Sequence, residues 1–200
     1  MTPEIAYECA LFLASSPKSR AFHEAILWLL NWAAERGDHG ASYALGNWYL
    51  HGTGVSKNYK KAVRYLSRAA ELANPEAQYD LAVAFELGHG VRKDENTAFH
   101  WYLQAAKHGD VDGMTEVARC FSYGIGTERN EQQSLHWARK AAKKGSGEAA
   151  YFLGLWYQAD TRQNSRLARK WFATAASLGH KAAVRKLKPL DRESRSPTLE

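Results

Sequence analysis

Two amphipathic patterns alternate along the chain and return every 36 residues. In the first, apolar or small residues stand at positions 1, 5, 8 and 12, with position 9 on the flank. At 100° per residue these share one face of a helix. Its first copy holds Ala41, Leu45, Trp48, Tyr49 and Gly52. In the second pattern an aromatic residue leads to an alanine pair four residues on. Tyr65, Trp101 and Trp137 lead to Ala69-Ala70, Ala105-Ala106 and Ala141-Ala142. The periodicity predicts a helix A over 39–51, 75–87, 111–123 and 147–158. It predicts a helix B over 59–72, 95–108, 131–144 and 165–178. A degenerate copy around Leu29, Ala33-Ala34 and Gly37 adds an initial pair over about 3–15 and 20–36.

The residues between the helices are periodic as well. Gly52-Thr53-Gly54-Val55 returns as Gly88-His89-Gly90-Val91 and as Gly124-Ile125-Gly126-Thr127. Asp38, Asn74, Asp110 and Ser146 form one series of N-cap residues, and Asn58, Asp94, Asn130 and Asn164 form another. Their side-chain oxygens suit the free N–H groups of a first helical turn. Pro75 stands at N1, where its missing N–H costs nothing. Gly37, Gly109, Gly145 and Gly179 fall where a helix closes through a left-handed residue; Ala73 takes that place in one copy. A fourth copy, near Ala149, contains Leu153-Gly154, Trp171 and Ala175-Ala176, but its inter-helix loop is two residues shorter and lacks both glycines. The expected organisation is one helical-repeat domain over 1–188. Its repeats span about 3–38, 39–74, 75–110, 111–146 and 147–180. A capping helix at 181–188 and a loose tail at 189–200 complete it.

The combined pattern reads Ala-x3-Leu-Gly-x2-Tyr-x2-Gly-x-Gly-Val, then Asp/Asn-x3-Ala-x2-Trp-x3-Ala-Ala. In the first copy it is carried by Ala41, Leu45-Gly46, Tyr49, Gly52, Gly54-Val55, Asn58, Ala62, Tyr65 and Ala69-Ala70. This resembles the Sel-one-like repeat, a relative of the tetratricopeptide repeat. The third copy departs with Gly113 for Ala and Val117-Ala118 for Leu-Gly. The resemblance implies an all-α, right-handed α/α solenoid of about five helical hairpins with a C-terminal capping helix. It also implies protein–protein interaction, since relatives commonly scaffold assemblies.

Composition agrees with a folded helical chain: 45% of residues are apolar and 24% charged, a globular balance. The longest nearly apolar stretch, Ala25–Ala34, is too short to span a bilayer and contains Asn31. Glu4 and Glu8 break the pattern of a secretory signal. A cytoplasmic protein is expected. Cys9 and Cys120 lie about three repeats apart, too far for a disulfide, and are read as buried thiols. The net charge of +6 is uneven: residues 161–188 carry eight basic side chains and no acid.

On helix A, positions 3, 7 and 10 oppose the packing face. They hold Tyr43, Asn47 and Leu50; Tyr79, Val83 and Glu86; Thr115, Arg119 and Ser122; Tyr151, Leu155 and Gln158. By resemblance to tetratricopeptide-like solenoids, this stripe lines a concave groove suited to a peptide or a partner's helix. The tyrosines have an equal claim as packing between adjacent A helices. Trp101, Trp137 and Trp171 are expected in the core. His100 and His136 share a repeat position with Arg64 and Lys170, the mark of a solvated face. No Cys-x-x-Cys, His-Glu-x-x-His or phosphate-loop pattern occurs, and the Gly-x-Gly turns join helix to helix rather than strand to helix. Neither a catalytic site nor a cofactor is expected.

Arg162, Arg166, Arg169, Lys170, Arg185 and Lys186 form a basic end. It is either a polar cap on the stack or a dock for an acidic partner or nucleic acid. The expected function is a protein-binding module: an adaptor, a regulator or a toxin-neutralising partner. Binding of nucleic acid or an acidic partner through the basic end is the alternative. Hydrolase activity ranks last, because this chain lacks the paired cysteines within each repeat of the secreted relatives for which it has been proposed.

Overall fold

The computed structural model describes residues 1–14, 20–159 and 164–193; side chains are described outside 14, 20–22 and 188–193. Among the described residues there are eleven helices and no strand. The chain divides into two compact units, Met1–Asp110 and Val111–Glu200. The first holds the hairpins α1 (Pro3–Ala14)/α2 (Arg20–Glu35), α3 (His39–His51)/α4 (Tyr59–Glu71) and α5 (Pro75–Leu87)/α6 (Glu95–Lys107). The second holds α7 (Val111–Tyr123)/α8 (Glu131–Lys143), α9 (Gly147–Ala159)/α10 (Ser165–Ser177) and α11 (Lys181–Glu193). The helices match the expected spans within one residue, except that α11 continues to Glu193, five residues beyond the expected 188. The expected loose tail at 189–200 is corrected over 189–193, which belong to α11; its remainder, 194–200, lies outside the described residues.

The two helices of each hairpin pack most closely on each other, and α2, α4, α8 and α10 then pack on the helix that follows the hairpin (α3, α5, α9 and α11). The small and branched residues at the repeat positions make this possible. Ala41, Leu45, Ala77, Leu81, Ala149 and Leu153 on the A helices are buried, as are Ala62, Leu66, Ala69 and Ala70 on α4. In the first unit Ala6, Ala10, Ile26, Leu30 and Ala33 extend the same core beneath α3.

The caps hold the helix ends. Asp38 accepts from Ala41 N at 2.6 Å, Asn74 from Ala77 N at 2.7 Å and Asn58 from Lys61 N at 3.0 Å. Asn130 and Ser146 do the same in the second unit. Asn164 departs from the expected series. Its backbone, at φ −102° and ψ 3°, is not extended, and its side chain makes no capping bond. At the C-terminal ends Ala73 adopts φ 62° where the other copies have glycine. The turn of the α5/α6 hairpin lies on the start of α4: the His89 and Tyr59 rings stack at 4.5 Å, and a Cβ on Gly90 would stand 2.4 Å from the Tyr59 carbonyl oxygen.

Two core expectations are corrected. Trp137 is buried, but Trp101 and Trp171 are only half-buried; Trp101 lies against the edge of the Leu66–Leu81 cluster rather than within it. Cys120 is buried, whereas Cys9 is exposed. The positions equivalent to Cys9 are Leu45, Leu81, Val117 and Leu153, all buried where α3, α5 and α9 pack on the B helix before them. Among the described residues no helix packs over that face of α1. Both thiols are free. No described helix is long and apolar enough to cross a membrane.

Candidate functional site

The side of the A helices turned away from the packing face was the expected binding surface, and its residues are half-buried or exposed in both units. In the first unit, however, the tyrosines act as spacers. Tyr43 packs against the Leu66–Leu81 cluster; burial first, and then the Asp80 carboxyl group on the next A helix, raise its pKa. Tyr79 leans on Tyr102 at 5.6 Å. Glu86 is drawn into its own hairpin, where it accepts the hydroxyl of buried Tyr102 at 2.6 Å. Asn47 is half-buried. Leu50 and Val83 remain half-buried.

In the second unit Tyr151 stacks on His180 at 4.3 Å. Thr115 takes the tyrosine position on α7, where it bonds the Val111 carbonyl and meets Ser146 at 3.0 Å. Arg119 pairs with Glu116 at 2.5 Å. Leu155 is 37% exposed. Gln158 receives a long hydrogen bond, 3.4 Å, from Lys186, which joins one expected groove residue to one member of the basic end. Ser122 is half-buried.

A cleft of about 140 Å³ opens among α7, α8 and α9. Its apolar floor is Ala118, Ala138, Ala149 and Phe152, and its rim carries Thr115, Glu116, Arg119, Tyr123 and Glu148. Of these only Thr115 and Arg119 belonged to the expected stripe. Tyr123 is 70% exposed.

Sequence reasoning missed the acids on this surface. Glu76, Asp112 and Glu148 stand 36 residues apart, and so do Asp80 and Glu116. That recurrence was the available signal. Helices α5, α7 and α9 hold six acids (Glu76, Asp80, Glu86, Asp112, Glu116 and Glu148) against one base, Arg119. Helices α4, α6, α8 and α10 are the reverse: Lys60, Lys61, Arg64, Arg68, Lys107, Arg139, Lys140, Lys143, Arg166, Arg169 and Lys170 against Glu71, Glu95 and Glu131. Charge is therefore sorted between these two sets of helices. Asp80 shows the consequence: burial first of all, then Asp110 and Glu76, raise its carboxyl to a pKa of about 6, while His51 and the Tyr43 hydroxyl pull the other way.

At the basic end Arg166, Arg169, Lys170 and Arg185 are exposed and Lys186 is half-buried; Arg162 lies outside the described residues. His100 and His136 are exposed, each edge-on to the tryptophan that follows it. No group of three or more His, Cys, Asp or Glu side chains able to hold a metal occurs among the described residues.

Stacked helical hairpins, with their core in the hairpin seams and a small cleft among α7, α8 and α9, define a helical-repeat protein. The Sel1 repeat model matches residues 39–74, 75–110, 111–146 and 147–180, and the chain belongs to that family. Among solved structures it is similar to a protective antigen of uropathogenic Escherichia coli with an SLR fold, at 26% identity and a TM-score of 0.87, covering 92% of this chain and 40% of that one. It is also similar to a Sel1 repeat protein from Oxalobacter formigenes, at 29% identity and a TM-score of 0.82, covering 93% and 54%. An immunity protein from Pseudomonas aeruginosa matches at 26% identity and a TM-score of 0.53, covering 91% and 67%. The chain thus spans about half or less of the first two relatives. No curated protein matches it. Sel1 repeat proteins are generally protein–protein interaction modules.

Proposed function

We propose that this chain is a non-catalytic binding module that holds a protein or peptide on its A-helix surface. The observation that carries this reading is the cleft among α7, α8 and α9, with an alanine- and phenylalanine-lined floor beneath a polar, aromatic rim. A shallow apolar cleft with a few oriented polar groups is what a helical-repeat module offers a peptide side chain. Exposed Leu155 and half-buried Val83 present further apolar surface on the A helices. The similarity to an immunity protein supports a toxin-neutralising role as the finer form of this reading.

Affinity capture from native lysate, read by mass spectrometry, tests it. Partners recovered by the parent chain and lost together on Arg119→Glu, Val83→Asp and Leu155→Asp, with helical content unchanged, support the reading. Retention of every partner by all three variants would move the site to the loops or to the B helices.

The exposed cations of α10 and α11 favour a second reading, in which the basic end docks an acidic protein surface or nucleic acid.

A further inference from the structure

We propose that the outer face of α1 docks a helix of a partner protein, one that carries a large apolar residue followed three and four residues later by alanine-sized ones. The face belongs to the first unit and is independent of the cleft among α7, α8 and α9. Ile5, Cys9, Phe12 and Leu13 line it with Glu8, around a groove of about 420 Å³. Ile5 is 50% exposed and Phe12 72%, and Cys9 is exposed as well. The same positions are closed on later A helices. Ala41, Ala77 and Ala149 stand in place of Ile5, and Leu45, Leu81 and Leu153 in place of Cys9; all are buried. In place of Phe12, Ala84 is buried and Trp48 and Trp156 are half-buried.

What closes those later faces tells what the open one accepts. Over α3 it is α2, whose Leu30, Ala33 and Ala34 share one core cluster with Ala41 and Leu45. Over α5 it is α4, whose Leu66, Ala69 and Ala70 share another with Ala77 and Leu81. A leucine and two alanines three and four residues on fall on one helix face, and small residues there let two helix axes approach to about 8 Å. The face of α1 continues this established seam by one step, and among the described residues nothing fills it. Apolar side chains exposed singly need no explanation. Ile5, Cys9 and Phe12, however, follow one helix face, and a helix at the edge of a stack ordinarily turns a polar side outward. Ile5 and Cys9 also reverse the small-then-large order of Ala41 and Leu45, which tunes the face to a particular partner rather than to any helix of this kind.

The probe is a fluorescein-labelled peptide of residues 59–72, the chain's own α4, held helical by a staple on its polar side because short isolated helices are marginal in water. Anisotropy is read on the full chain and on Phe12→Glu, Ile5→Asp and Ile5→Ala/Cys9→Leu, with circular dichroism confirming each fold. The peptide is expected to bind the parent chain and to lose about tenfold in affinity on Phe12→Glu or Ile5→Asp. It should bind more tightly to Ile5→Ala/Cys9→Leu, which restores the order found on α3, and this gain survives even if a charged variant fails to fold. A control peptide carrying Ala69→Leu/Ala70→Leu is more apolar but cannot approach as closely, and it should bind more weakly. Equal or tighter binding of the control, or unchanged affinity across all three variants, would overturn the proposal. Sedimentation of the chain alone supplies the remaining arm: a dimer that Phe12→Glu dissolves would give the face to a second copy and overturn the partner helix.

Discussion

Tyr43 on α3 packs against the Leu66–Leu81 cluster and faces Asp80 on α5, so a residue expected to greet a partner instead fills the seam between two successive hairpins. That seam holds a partly buried carboxyl group, and burial raises its pKa from 3.8 to about 6. The folded state therefore binds the proton more tightly than the unfolded state does. Asp80's contribution to stability is full below about pH 4 and is lost as pH rises through about 6. A shift of about two units corresponds to roughly 3 kcal/mol. Asp80→Asn is expected to match the parent near pH 4, to exceed it by about 2–3 kcal/mol at pH 7.5, and to remove this component of the pH dependence. Urea denaturation across that range decides it; equal stabilities of the two chains at pH 7.5 would contradict the buried-carboxyl account.

Two glycines in one turn should respond differently to alanine. Gly88 and Gly90 have φ of 73° and 78°, so both substitutions carry left-handed strain of about 1–2 kcal/mol. At Gly88 the nearest foreign atom to a new Cβ lies at 3.4 Å, an ordinary contact. At Gly90 it is the Tyr59 carbonyl oxygen at 2.4 Å, and backbone has no rotamer with which to yield. Gly90→Ala should cost at least about 2 kcal/mol more than Gly88→Ala, because it adds overpacking to strain. Ala73, at φ 62°, is the converse case, and Ala73→Gly should stabilise by about 1 kcal/mol. Thermal melts of the three variants measure both effects, and a melting temperature lowered by Ala73→Gly would refute the second.

The cap series provides an internal contrast. Asn58 accepts from the Lys61 N–H at 3.0 Å, and Asn58→Ala should cost about 1 kcal/mol. Asn164 makes no capping hydrogen bond, and Asn164→Ala should cost clearly less by denaturant midpoint. Equal losses at the two sites would mean that the 36-residue pattern, rather than the local backbone, describes the start of α10.

The fold was legible because each level of the sequence repeated the same instruction. Leu45 and Leu81, Ala69-Ala70 and Ala105-Ala106, and the caps Asn58 and Asp94 all return at one step. A solenoid-type repeat builds its core from neighbours alone. The site was less legible. Positions 3, 7 and 10 were chosen as the side opposite the packing face, but the next hairpin also meets that side, and it claimed Tyr43 and Tyr151. The acids Asp80 and Glu116 stand beside the stripe, and their recurrence shows only when charge is aligned by repeat position rather than summed along the chain. Cys9 misled because its repeat position is buried only where a preceding helix covers it.

The basic end separates the two functional readings. A nucleic-acid dock needs cations that follow a phosphate backbone, and four or more such contacts would give a log–log salt slope of about −3 or steeper. Arg166, Arg169, Lys170 and Arg185 are exposed, but they belong to two helices at one end of the second unit. The A helices of that unit add Asp112, Glu116 and Glu148 against Arg119 alone. Tyr151, which could stack on a base, is already stacked on His180. Binding to mixed-sequence oligonucleotides should therefore be weak and should fade by physiological salt. Fluorescence anisotropy with single- and double-stranded probes, titrated across salt, reads this directly. Submicromolar affinity at physiological salt, abolished by neutralising Arg162, Arg166, Arg169 and Lys170, would make the chain a nucleic-acid binder and displace the protein-binding reading.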